Sequence, residues 1–78
     1  VKELIKFIIT SIVDKPESFS LSEEKTEAGF INFIVGVDPE DMGKVIGRGG
    51  QIIKAIRILL RTKALQEGKK VILSLKED

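Results

Sequence analysis

Val45-Ile46-Gly47-Arg48-Gly49-Gly50-Gln51-Ile52-Ile53-Lys54-Ala55-Ile56 sets three glycines in four residues between two helix-spaced apolar patterns. Just upstream, Asp38-Pro39-Glu40-Asp41 spells a helix start: an Asp N-cap, proline at the first helical position, and acids in the first turn. That helix is short. It runs through Met42, Val45 and Ile46 and is predicted to stop at Gly47, where glycine adopts a left-handed C′ conformation without strain. A second helix is predicted to open after Gly50 and continue to about Gln66. Ile52, Ile53, Ile56, Leu59 and Leu60 are expected on its buried face, with Lys54, Arg57 and Arg61 opposite them. Gly68 ends it.

Working outward, Val1, Leu4, Ile5, Ile8, Ile9, Ile12 and Val13 recur at helical spacing, and Asp14-Lys15-Pro16 closes that first helix. Phe19-Ser20-Leu21-Ser22 alternates like a half-buried strand, and Lys25 to Gly29 reads as a turn. Phe30-Ile31-Asn32-Phe33-Ile34-Val35-Gly36-Val37 is the strongest strand, rich in β-branched and aromatic residues. It is expected to pair antiparallel with the one before it. Val71-Ile72-Leu73-Ser74-Leu75 makes a closing strand, followed by a polar tail, Lys76-Glu77-Asp78. The order α-β-β-α-α-β predicts an α+β fold, a three-stranded sheet with the helices packed on one face, and one domain over residues 1–78.

The chain has no cysteine and no histidine, which excludes disulfides, thiolate sites and imidazole ligands. No apolar run approaches the ~20 residues of a membrane helix, and the start lacks a signal-peptide pattern, so a cytoplasmic location is expected. The serines have no histidine to activate them, and Asp38, Glu40 and Asp41 are read as capping acids. No catalytic residue, metal site or cofactor is expected.

Charge is distributed unevenly beneath a net value of +1. Residues 1–41 carry nine acids against four lysines. From Met42 to Gln66 there is no acid, while Lys44, Arg48, Lys54, Arg57, Arg61 and Lys63 are all basic. A solvated helix face normally intersperses acids, and this one does not. The basic stretch also contains the glycine-rich loop.

That loop brings backbone close to a ligand, because no Cβ stands in the way. The amides opening the following helix lack intrahelical partners, and the helix dipole adds positive charge there. Arg48 adds a guanidinium that matches phosphate oxygens. A Walker loop would need Lys-Ser/Thr after the glycines, and a dinucleotide fingerprint would need a preceding strand; Gln51-Ile52 follows and a helix precedes. The remaining structural alternative is a tight helix–helix turn in which glycine serves geometry alone.

With these residues in place, the stretch from Val45 to Ile56 resembles the I-G-x-x-G-x-x-I core of KH domains, and the element order resembles their type II, prokaryotic arrangement. Together with Asp14-Lys15-Pro16 and Pro39-Glu40-Asp41-Met42-Gly43-Lys44, nearly the whole chain is similar to the small bacterial KhpA (YlqC) family. The resemblance implies a non-enzymatic, cytoplasmic module that binds single-stranded RNA with little sequence selectivity, as an RNA chaperone or post-transcriptional regulator. It also implies pairing, either as a homodimer or with a larger KhpB-like KH protein. Gly47, Arg48, Gly49 and Gly50 would clamp a four-nucleotide backbone. Ile46, Ile52 and Ile53 would line an aliphatic floor or, equally, belong to the core. The second variable position of the loop is Gly49, where many KH loops carry a polar or basic side chain, so the tip holds one charge.

Lys44, Lys54 and Arg57 are the expected flanking contacts. No aromatic residue follows Phe33, and the four phenylalanines are assigned to core packing, so affinity is expected to be weak, salt-sensitive and indifferent to base identity. A competing function is a protein–protein module with RNA binding secondary. Ile58 and Leu65 motivate it, because both fall beside the basic arc and away from the buried stripe, as a dimer seam would require.

Overall fold

A computed structural model describes residues 1–76; Glu77 and Asp78, the end of the polar tail, lie outside the described residues. Helix α1 spans Lys2–Ile12 and buries Ile5 and Ile9 completely. Val13 is already extended, and a single 3₁₀ turn at Pro16–Ser18 redirects the chain. Strand β1, Ser20–Lys25, pairs antiparallel with β2, Ile31–Gly36, in the register Ser20↔Gly36 to Lys25↔Ile31. The intervening turn is closed by Thr26, whose amide and hydroxyl bond Phe30, and by Gly29 at φ 85°.

β1 lies later than Phe19–Ser22. Its Glu-Glu-Lys end has poor strand propensity, yet every residue has a β2 partner, and pairing outweighs propensity. Charge on an edge strand also discourages pairing with other chains.

A 3₁₀ turn at Pro39–Asp41 leads into α2, Met42–Ile46. After the glycine turn, α3 runs over Gln51–Gln66 and returns the chain to β3, Val71–Leu75. β3 adds parallel to β2, from Ile31↔Val71 to Val35↔Leu75, so the sheet order is β1-β2-β3. The α-β-β-α-α-β order and the one-sided helical layer are as expected. Among the described residues, no helix is long and apolar enough to cross a membrane.

Ile5, Ile9 and Val13 from α1, Val45 from α2, Ile53, Ile56 and Leu60 from α3, and Phe33, Val35 and Leu73 from the sheet form the core. The buried stripe of α3 differs from the one expected. It is Ile53, Ile56, Leu60 and Ala64, while Ile52 and Leu59 are exposed. The small Ala64 lets the C-terminal end of α3 approach closely, and Arg57 is turned toward β3. Together these rotate the helix away from the stripe that counting large aliphatics predicts. Phe7 also departs from its core assignment: it is 69% exposed on the outer side of α1.

Candidate nucleic-acid interface

The glycine turn depends on glycine most strictly at Gly47. Its φ of 76° and ψ of 172° lie where only glycine is comfortable, and a Cβ would sit 2.5 Å from Ile52 Cγ1 and 2.7 Å from Ile52 Cβ. Gly49 and Gly50 are left-handed too, but a Cβ at either would meet nothing within 4 Å. The turn is closed by Gly50 N–H donating to Gly47 O at 3.1 Å and by the Gln51 amide donating to Arg48 O. Gly50 occupies the N-cap of α3, and no side chain caps that helix. No side chain therefore competes with an incoming acceptor for the amides of its first turn, of which that of Gln51 already bonds Arg48 O.

Arg48 and Gly49 form the exposed tip. Ile46 and Ile52 beside it are partly exposed, as an aliphatic floor requires, whereas Ile53 is only 6% exposed and belongs to the core. Of the two places expected for Ile53, floor or core, the structure shows the core: of the two neighbouring isoleucines, it points at the sheet. Lys44 also differs from a free flanking cation. Its ammonium pairs with the Asp14 carboxylate and lies 3.9 Å from Asp41 Oδ1, so it braces α2 against the end of α1. The Asp14 contact raises its pKa above the ordinary 10.5, with burial opposing.

Lys54, Arg57 and Arg61 follow one another on the flank of α3 that faces β3, and all three are exposed. Arg57 Nε donates to Leu73 O at 3.3 Å. Ile31 N–H donates to Lys70 O and Lys76 N–H to Val35 O, so the main chain of Val71, Leu73 and Leu75 turns toward the free edge of the sheet. Arg57, Leu60, Arg61, Val71, Ile72 and Leu73 line a hollow of about 110 Å³ between α3 and that edge. Sequence spacing placed Arg61 on the basic arc without marking it as a contact. The β3 wall was not foreseeable, since parallel pairing with β2 is what makes β3 an edge.

The acids near α2 are occupied structurally. Asp38 accepts from Glu40 N–H at 2.9 Å, and Glu40 pairs with Lys15 at 2.9 Å. Asp41 accepts from the amides of Asp14 and Lys15. Among the described residues no cluster of three or more carboxylates is arranged to hold a metal ion. Ile58 and Leu65 stand 60% and 78% exposed, away from the core as expected.

Two strands and two helices joined by a G-x-x-G turn, with an additional helix and strand ahead of them, define a KH domain of the type II arrangement. The family described as KhpA/KhpB, KH domain matches residues 2–75, and the chain belongs to it. It is 46% identical over 74 residues to a Clostridium perfringens protein named RNA-binding protein KhpA, covering 95% of this chain and 97% of that one. A protein of the same name from Caldanaerobacter subterraneus is 42% identical over 73 residues, 94% of this chain and 96% of that one. The one from Chlamydia trachomatis is 39% identical over 77 residues, 99% and 97% of the two chains.

Proposed function

We propose that the chain binds single-stranded RNA in the bacterial cytoplasm, gripping the sugar-phosphate backbone with Gly47–Gly50 and seating the strand between α3 and the edge of β3. It would act as an RNA chaperone or post-transcriptional regulator. The observation that carries this reading is the coincidence of three features along one track. An uncapped helix N-terminus stands behind an exposed Arg48, Lys54, Arg57 and Arg61 follow on one flank, and a strand edge forms the opposite wall. Such a track favours backbone over bases, and single-stranded partners over duplexes. The relatives' name, RNA-binding protein, supports the same class of ligand.

Salt dependence tests it. Four basic side chains line the track, and each phosphate neutralised on a single strand contributes a slope of ~0.7, so log K against log salt should fall with a slope of about −3. Homopolymer and mixed sequences should bind within a few-fold of each other. A flat salt response, or strong preference for one short sequence, would contradict the reading.

A second reading, a pairing module, is favoured by the outer face of α3. Along that face the exposed residues Ile52, Ala55, Ile58, Leu59, Thr62 and Leu65 are uncharged, and Lys63 stands at its margin. Their 3-4 spacing makes a seam for a like helix from a second copy or from a KhpB-like KH protein. Ile58→Glu would put a charge in that seam, at a cost of several kcal/mol (~2–5) if it is desolvated. The variant should run as a folded monomer in sedimentation and bind RNA more weakly through lost avidity. Wild type that stays monomeric at high concentration and recovers no KH partner from cells would exclude the seam.

A further inference from the structure

The helices cover one face of the sheet and leave the other open. Along β2, Phe33 and Val35 point into the core, so Asn32, Ile34 and Gly36 point outward; along β3, Leu73 points inward and Ile72 and Ser74 outward. Phe30 and Lys70 continue the outward rows at the strand starts, with Lys70 Nζ 5.7 Å from the centroid of the Phe30 ring. Phe30 and Ile34 are half-buried without joining the core packing. Ser74 Oγ bonds Asn32 Oδ1 at 2.9 Å in the middle of the face. At its far end, Ser18, Ser20, Gly36, Val37 and Lys76 enclose a polar hollow of about 160 Å³.

We propose that a strand held in the α3–β3 cleft turns over the free edge of β3 and continues across this open face. One base would take the place of the Lys70 ammonium over the Phe30 ring, and the displaced Lys70 would pair with the adjoining phosphate. The inference rests on the cleft reading above and extends it. Ile72 provides the continuity, because it lines the cleft and also stands on the open face, 42% exposed. Crossing one strand covers only about 5 Å. An aromatic ring on a sheet stacks any base, and a lysine released from its face supplies a charge where the backbone passes.

Charge favours a polyanion over a second protein. The outward rows hold Lys70 and Lys76 against Glu24 among the described residues. Most of the remaining floor is Ser20, Ser22, Asn32 and Ser74, which suits sugar and base edges better than an apolar seam. Sequence counting missed the feature because Phe30 precedes a strand whose other phenylalanine, Phe33, is core.

The test is an NMR titration of the full chain with tetrauridylate and decauridylate. Wild type should bind the longer oligomer more tightly than the roughly sevenfold that extra binding registers supply. The amides of Asn32 and Ser74 should shift with the decamer and not with the tetramer. Phe30→Leu should weaken decamer binding about tenfold and leave the tetramer unchanged. Lys70→Gln should reduce the decamer salt slope by about 0.7. A normal loop effect together with an inert Phe30→Leu overturns the continuation alone. Should Arg48→Asp with Gly49→Asp bind tetramer like wild type, the cleft falls and takes the continuation with it. If Phe30→Leu changes the mass in light scattering but not RNA binding, the open face joins protein copies and the proposal is wrong.

Discussion

Replacing Arg48 and Gly49 together by aspartate is expected to lower RNA affinity by about a hundredfold or more while the domain stays folded. A charge-assisted hydrogen bond contributes ~1.5–3 kcal/mol, and the exchange removes one and adds two negative charges facing the phosphates. Both positions are exposed, so the core is untouched. Gly49 at φ 63° would strain most side chains, but aspartate is among the few that enter the left-handed region, and nothing lies within 4 Å of the new Cβ. The melting temperature should therefore fall by only a few degrees, roughly the effect of 1 kcal/mol in a domain of this size. Binding by fluorescence anisotropy beside a thermal melt separates the two effects. A folded double variant with wild-type affinity would remove the loop from the RNA site. Gly47 would be a poor choice for the same test: its backbone conformation and the Ile52 side chain oppose any Cβ, so binding and folding would be lost together.

The contrast between Gly47 and Gly49 marks how far the sequence could be read. Three glycines between two helical patterns located the turn and the basic flank, because glycine punctuation and charge spacing are local signals. Which glycine is sterically required depends on where Ile52 points, and that is set by the rotation of α3 on the sheet. The same rotation moved Ile52 and Leu59 to the surface and exchanged them for Ala64, a residue too small to weigh in an apolar count. Lys44 was counted as part of the basic face, yet its partner Asp14 lies 30 residues away in sequence. The position of β3 as an open wall follows from parallel pairing across a two-helix crossover, which no local pattern encodes.

Asp41→Ala is expected to cause a large loss of stability for a substitution outside the apolar core. Asp41 is 2% exposed, and its two oxygens accept from Asp14 N–H at 3.1 Å and Lys15 N–H at 2.9 Å. These amides lie just past the end of α1, so one carboxylate fastens that helix to the start of α2, the element that carries the glycine turn. Alanine would strand both donors and leave Lys44 with Asp14 alone. A fall in melting temperature of about 10 °C or more is expected. Asn is no remedy, since its amide would present a donor where an acceptor is needed.

The pH response of the wild type carries the same signature. Burial pushes the Asp41 carboxyl up, but the Asp14 and Lys15 amides, with Lys44 and Lys15 nearby, outweigh it and hold the pKa below 3.8. A carboxyl depressed in the folded state stabilises fully above its unfolded value and loses that contribution as pH falls through its folded value. The Asp41 share should therefore be intact at pH 5 and decline progressively as pH falls below about 4. Lys15, raised above 10.5 by Glu40 and then Asp38, runs the opposite way, contributing below that value and fading as pH climbs past it. Denaturant melts of wild type and Asp41→Ala should differ widely at pH 6 and by less at pH 3. A gap that persists unchanged at pH 3 would mean the ionised carboxylate is not what joins α1 to α2.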